Sequence, residues 1–300
     1  MLHVWSSAKY TFPLPEGHRF PISKYALLRE QVIAEGIVPA EHVHDPARVS
    51  REDLRLVHTD DYVDRFTNGA LTDAEIRRLG FPWSEGLVER SYRAAGGTSE
   101  AARHALDHGI AMNLAGGTHH AFADHGEGFC VFNDVAIAVR SLQRDNRIER
   151  AAILDLDVHQ GNGTNAIFAG DERVFTFSMH GARNYPFHKV AGSLDIELPD
   201  QTDDDAYLET LARTLPRVLA ESRPDLVIYL AGADPLASDR LGRLGLTFDG
   251  LARRDAMVIE QCQEVGLPLA ITIAGGYAEP ISETVRVHVA TARIASKMAR

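Results

Sequence analysis

Five short apolar runs, each followed by a polar or titratable group, limit the folds that this chain can adopt. The runs are rich in Ile, Val and Leu and have the length of strands buried on both faces. Helical spacing appears between and around them, at 91–107, 134–144, 205–221 and 248–264. This alternation predicts a parallel sheet covered by helices on both faces. The five predicted strands span 110–114, 151–156, 174–178, 226–230 and 269–273.

Length and composition permit one domain or two. A chain of 300 residues with 45% hydrophobic composition can bury a substantial core, and its length alone allows a second domain. No segment has the composition of a linker and no internal repeat is present, so we predict a single domain over residues 1–300. Its expected class is α/β, a three-layer α/β/α domain with a mostly parallel central sheet. The first ninety residues look less regular, and 18–24 and 81–86 are predicted as long surface loops at the rim of a pocket.

Charge and cysteine usage limit the partners. The net charge of −11 repels phosphate backbones and anionic membranes, so we expect neither direct nucleic-acid binding nor membrane binding. The charge is compatible with a cationic substrate, although solubility is its simplest meaning. Cys130 and Cys262 provide no disulfide framework, and no signal peptide or membrane span is visible. We therefore predict a cytoplasmic protein; the sequence makes no prediction of oligomeric state.

Titratable groups follow the predicted strands at the edge where parallel strands end, which is where α/β sheets bind ligands. Asp157 and His159 follow the second strand two residues apart, so on an extended segment they share one side with Asp155. Asp157, His159 and Asp234 together supply three ligands for a divalent metal. A catalytic zinc site has this number of protein ligands. For this triplet alone, a turn with capping carboxylates remains an equal alternative.

Two further strand ends carry groups suited to proton transfer. His119 and His120 follow Gly-Gly-Thr, and neutral imidazole takes or gives a proton near pH 7. Tyr277 follows two glycines and has a phenolic donor for charge developing on a substrate oxygen. Taken singly, such residues are more often a buried core histidine and an interface tyrosine.

A family resemblance extends these observations over nearly the whole chain. In order, the sequence contains GGTHHAF, GEGFCVFND, LDLDVHQGNGT, FSMH, GADPLASDRLG and AGGY. It thereby resembles the zinc-dependent histone deacetylase-like amidohydrolases of the arginase–deacetylase fold. The phrase FSMHGARNYPF and the short length are most similar to the bacterial branch related to the class IV deacetylases.

The resemblance implies a role for each matching residue. Asp157, His159 and Asp234 would bind one Zn²⁺ per chain. His120 would be the better candidate for general base and His119 for electrostatic support or acid. Asp155 would orient His119 and join Ser178 around a structural K⁺, and Tyr277 would polarise the substrate carbonyl. The residues implied in substrate binding are Gly128 and Phe129 along an acyl-lysine tunnel, Leu241 at its mouth, and Gly275 and Gly276.

The sequence departs from the family pattern at one position, and two alternative functions remain open. Many members have an acidic partner for the second catalytic histidine, whereas this chain has Asn162, which can hydrogen-bond His120 but holds its positive charge less strongly. The predicted activity is hydrolysis of an N-acyl-lysine amide, on a protein or a small acylamine. The alternatives are a binuclear-manganese ureohydrolase of the same fold and a non-catalytic acyl-lysine-binding protein.

Overall fold

The computed structural model describes residues 1–299; Arg300, the last residue of the predicted domain, lies outside the described residues. Eight strands form one sheet in the order β2-β1-β3-β8-β7-β4-β5-β6, and every pair is parallel. The last strand along the chain, β8, lies between β3 and β7. The strands are β1 (His3–Trp5), β2 (Val43–His44), β3 (Ile110–Asn113), β4 (Ala151–Asp155), β5 (Val174–Gly181), β6 (Leu194–Leu198), β7 (Leu226–Leu230) and β8 (Leu269–Thr272).

Helices cover both faces of this sheet. One group packs together as α1, α10, α9 and α8, and the other consists mainly of α5 and α6. Strand β3 touches both α5 and α10 and is buried along its whole length, as expected of a strand covered on both faces. Within residues 1–299, no helix is both long and apolar enough to cross a membrane. The helices are α1 (Lys24–Ala34), α2 (Arg51–Leu54), α3 (Asp60–Thr67), α4 (Asp73–Leu79), α5 (Glu85–His108), α6 (Asp134–Arg144), α7 (Asn162–Ile167), α8 (Asp204–Ser222), α9 (Phe248–Glu264) and α10 (Ile281–Met298).

The three-layer fold is confirmed, and the sheet is parallel throughout. Each predicted strand is present, with β7 and the helices α6 and α9 matching their predicted bounds. The first ninety residues are more regular than predicted, since they contain α1 to α4 and the short strands β1 and β2. The predicted surface loop 81–86 is wrong in part, because Phe81 is 1% exposed and packs in the core, and α5 begins at Glu85.

A buried carboxylate fixes the loop that follows β3. Asp134, the first residue of α6, accepts hydrogen bonds from the backbone N–H groups of Gly117 at 3.0 Å and Thr118 at 2.7 Å. Asn133 caps the same helix by accepting the N–H of Ala136 at 3.0 Å. The start of α6 therefore holds the loop that carries His119 and His120 against the sheet.

Candidate active site

Asp157, His159 and Asp234 meet at the carboxyl edge of β4 and β7. Their three ligand atoms lie within 4.8 Å of one another, and all three side chains are buried. His159 Nδ1 is 2.9 Å from Asp157 Oδ1 and 3.2 Å from Asp234 Oδ2. Donor atoms around a tetrahedral zinc with bonds of 2.0–2.2 Å are about 3.4 Å apart, so the spacing suits such an ion.

The hydrogen bonding of the two carboxylates also fits a bound cation. Asp234 Oδ2 is buried and accepts no hydrogen bond, although His159 Nδ1 lies 3.2 Å away. The other Asp234 oxygen accepts the N–H of Val158 at 2.9 Å. Asp157 Oδ2 accepts the N–H of Gly275 at 2.7 Å. Backbone donors thus orient both carboxylates and leave the inward oxygen of Asp234 unsatisfied, as a metal ligand should be.

The run 155–159 is not the extended segment expected from sequence. Strand β4 ends at Asp155, whose Oδ1 accepts the N–H of Asp157 at 3.2 Å. Asp157 Oδ1 in turn accepts the N–H of His159 at 2.9 Å. Consecutive side-chain-to-backbone turns, not strand alternation, bring the groups to one place. The capping alternative and the convergence of the three ligands therefore occur together.

Each of the paired histidines has a distinct partner. His119 Nδ1 lies 2.6 Å from Asp155 Oδ2, and His120 Nδ1 lies 2.7 Å from Asn162 Oδ1. An amide oxygen only accepts, so His120 donates from Nδ1 and keeps Nε2 unprotonated in its neutral form. The predicted contacts of Asp155 and Asn162 with the pair are thus present in the structure.

Sequence reasoning missed Glu127, which lies behind Asn162. Asn162 Nδ2 donates to Glu127 Oε1 at 2.7 Å, and this bond fixes the amide with its oxygen toward His120. The carboxylate therefore reaches His120 through one intervening amide. Tyr185 was also missed; its ring stands perpendicular to the His120 ring with centroids 4.9 Å apart. Glu127 lies inside the GEGFCVFND motif, where the glycines and aromatic residues drew attention instead.

The charges of the site shift the pKa values of its titratable groups in opposite directions. Burial lowers the pKa of His119, but the Asp155 and Asp157 carboxylates outweigh it and raise that pKa to about 9. Burial and the positive charge of His119 hold the pKa of His120 well below its usual value. Burial also raises the pKa of Asp234 to about 7, with the Asp157 carboxylate adding to it. Burial and the two carboxylates raise the pKa of Tyr277 well above its usual value, so its phenol stays protonated.

The loop that carries Tyr277 is held from two sides. Asp239 Oδ2 accepts the N–H of Tyr277 at 2.6 Å. The buried Lys24 donates from Nζ to the carbonyls of Ala274 at 3.2 Å and Gly276 at 3.5 Å. Sequence reasoning missed Lys24 because it assigned 18–24 to a loop and the contact joins residues 250 positions apart. Gly276 has φ +144°, where a side chain is strained, and an added Cβ would lie 2.5 Å from Thr284.

Two connected spaces lead to this centre. An inner cavity of about 30 Å³ is lined by the paired histidines, Asp157, Gly128, Phe129, Gly275 and Tyr277, among others. An outer cleft of about 690 Å³ shares His120, His159 and Tyr277 with it and also contains Gly128, Phe129 and Leu241. The structure therefore places Gly128 and Phe129 beside the candidate metal ligands, with Leu241 further out.

The two residues predicted to hold K⁺ are neighbours across the sheet. Asp155 and Ser178 are register partners in β4 and β5. Ser178 Oγ lies 2.9 Å from His180 Nδ1. The assignment of K⁺ to this pair stays a prediction.

Comparison with known proteins places the chain in a family. A family model described as the histone deacetylase domain matches residues 18–292. An uncharacterized protein of Picosynechococcus sp. is 48% identical over 93% of both chains. Histone deacetylase 2 of Arabidopsis thaliana is 33% identical over 87% of this chain and 70% of its own. The crystal structure of a histone deacetylase homologue from Aquifex aeolicus has a TM-score of 0.84 at 23% identity, covering 99% of this chain and 84% of that one.

The chain belongs to the histone deacetylase family. Membership implies amide hydrolysis as the reaction, and the predicted resemblance and fold class are both confirmed. The solved structure supports the fold alone, because its identity is low.

Proposed function

We propose that this protein is a zinc-dependent deacetylase that hydrolyses the amide of N-acetyl-lysine. The observation that carries the proposal is the convergence of Asp157, His159 and Asp234, with one unsatisfied carboxylate oxygen among three buried ligand atoms. When bound there, Zn²⁺ would polarise the amide carbonyl and lower the pKa of a water molecule. Two imidazoles and a phenol beside the same point supply the remaining groups of an amide hydrolase.

The protein's own residues divide the proton transfers. His120 takes the proton of the attacking water at Nε2, because Asn162 holds Nδ1 as a donor. Tyr277 donates its O–H to the carbonyl oxygen as negative charge develops on it. His119, held by Asp155, supports this charge and, with His120, supplies the proton on which the amine leaves.

The inner cavity favours a short acyl group. Its volume of about 30 Å³ is a small fraction of the 690 Å³ or so of the outer cleft. A space this narrow suits an acetyl group better than a long acyl chain. We therefore propose acetyl-lysine ahead of longer acyl-lysines.

The remaining proposals concern the structural ion, the domain and the location of the protein. We propose that Asp155 and Ser178 hold a structural K⁺ and that residues 1–300 act as one catalytic domain. The cytoplasm remains the proposed location, and its support is two buried cysteines that are not bonded to each other. The binuclear rival is less well supported, since residues 1–299 contain one group of three ligands that fits a metal.

The test combines metal content and turnover on one preparation. Protein purified with zinc should contain about one zinc per chain and hydrolyse acetyl-lysine peptides faster than long-chain acyl peptides. Tyr277→Phe and His120→Ala should each lower kcat by about 10²-fold or more. Tyr92→Phe, which loses a hydroxyl contact with Thr67 in α3, is the control. Two manganese ions per chain would favour the ureohydrolase, and unchanged turnover in both site variants would refute the assigned roles.

A further inference from the structure

The outer cleft has the opposite charge from the protein as a whole. The chain carries a net charge of −11, yet among its described residues no Asp or Glu lines this cleft. The arginines that line it are Arg19, Arg77, Arg78, Arg183, Arg240 and Arg243, and all are exposed. We call these six residues the arginine rim.

Most of this positive charge has no partner within the protein. Arg183 and Arg243 share one carboxylate, that of Asp200, at 3.3 Å each. Arg240 lies 3.0 Å from Glu279. Arg19, Arg77 and Arg78 form no ion pair within residues 1–299. The six guanidinium groups thus have two carboxylates between them. The guanidinium groups of Arg19, Arg77 and Arg78 are free to bind a ligand.

The arginine rim surrounds the entrance to the catalytic centre. Four separate parts of the chain contribute to it: the loop before α1, the last turns of α4, the loop after β5 and the loop after β7. The cleft reaches inward to His120, His159 and Tyr277. A substrate whose acetyl-lysine enters the centre therefore lays its flanking groups against the rim. Phe187, 83% exposed, adds an apolar contact at this surface.

We propose that the arginine rim binds an acidic polypeptide segment, in which Asp and Glu residues flank the acetyl-lysine. The inference rests on the proposed deacetylase function and names its substrate class. Guanidinium groups bind carboxylates in a planar, often bidentate geometry. A small acylamine with one carboxylate engages one or two of them, whereas arginines on four chain segments match several carboxylates along a peptide. The local field at the entrance, not the net charge, selects the substrate.

Peptides of equal length test the charge preference. Acetyl-lysine is flanked by two Glu, two Gln or two Lys on each side, and free Nε-acetyl-lysine is the small-molecule arm. At low salt we expect kcat/KM to follow Glu, then Gln, then Lys, with at least about tenfold between the extremes. Added salt should reduce this ratio, because ions screen exposed charges. Fluorescence anisotropy with labelled peptides measures affinity independently of turnover and should give the same order.

A matched pair of triple variants assigns the effect to the rim. In Arg19→Gln/Arg77→Gln/Arg78→Gln, the Glu-to-Lys ratio should fall to about threefold or less. The control, Arg29→Gln/Arg213→Gln/Arg253→Gln, removes the same charge from exposed arginines of α1, α8 and α9 that lie outside the cleft. It should keep the full ratio.

The outcomes separate the inference from the function on which it rests. Efficient but equal hydrolysis of the three peptides would overturn the acidic substrate and leave the deacetylase intact. Free acetyl-lysine hydrolysed as well as the Glu peptide would overturn a polypeptide substrate. Failure to hydrolyse any acetyl-lysine compound would refute the deacetylase, and equal anisotropy affinities would then refute the rim's selectivity separately.

Discussion

The backbone of Gly275 lies against the carboxylates of Asp157 and Asp234, which with His159 form the candidate metal triad, so Gly275→Ala perturbs the site directly. A Cβ at this position would lie 1.9 Å from Asp234 Oδ2 and 2.5 Å from Asp157 Oδ2. Ordinary carbon–oxygen contact requires Asp234 to retreat by about 1.5 Å. Metal–ligand distances tolerate about 0.2 Å. We therefore expect the variant to bind metal much more weakly than the wild type.

The assay follows metal, activity and stability on the same samples. After dialysis against metal-free buffer, zinc per chain in Gly275→Ala should be lower by at least about tenfold, and deacetylation should fall with it. Gly245→Ala is the control, since its Cβ would lie 3.3 Å from the carbonyl of Gln201, away from the site. The control should keep zinc, turnover and its urea midpoint. A Gly275→Ala protein with normal zinc content and turnover would refute the assignment of Asp157 and Asp234 as ligands.

Three further predictions concern single side chains. Asn162→Asp places a carboxylate on His120 Nδ1 and should raise the pKa of its imidazole, so the acid limb of the kcat/KM profile moves to higher pH; an unshifted limb contradicts the role of this contact. Burial lowers the pKa of His58 to about 4. The stability that depends on the neutral imidazole is therefore fully present above pH ~6.5 and is lost as pH falls toward 4, so the free energy of unfolding drops by about 2 kcal/mol at pH 5. Urea unfolding at pH 7 and 5 should show this drop in the wild type and a smaller one in His58→Gln. Equal drops in the two proteins would contradict the role of His58. Lys24→Met leaves the carbonyls of Ala274 and Gly276 without their donor and should lower the free energy of unfolding by about 2–4 kcal/mol, which an unchanged urea midpoint would disprove.

The sequence predicted the centre of the sheet far better than its edges. The strands β3, β4, β5, β7 and β8 are apolar runs between turn residues, and such runs carry their own signal. Of the three strands that were missed, β1 and β2 are two or three residues long, and β6 reads LDIEL with mixed polarity, so periodicity alone cannot identify them. Their pairing depends on neighbours that a local window does not contain.

For the candidate site, sequence motifs located the residues but not the contacts that hold them. The paired histidines, the triad and Tyr277 stand in recognisable motifs, and the structure brings them together. Glu127 behind Asn162 and Lys24 beneath the Tyr277 loop act across 35 and 252 positions of sequence, where no local pattern reports them. The arginine rim was missed because a net charge sums over the surface and erases local sign.

The position of β8 makes the joining of the sheet and the completion of the catalytic centre one event. This final strand separates β2-β1-β3 from β7-β4-β5-β6, and those two groups share no strand pairing without it. During synthesis the ribosome delivers the three candidate metal ligands, the paired histidines and both halves of the sheet before it delivers β8. A nascent chain that stops short of residue 269 therefore has two unjoined edges and no Tyr277. Both the joining of the halves and the supply of Tyr277 depend on this strand and the loop after it, so we expect no hydrolysis from a chain that stops before β8.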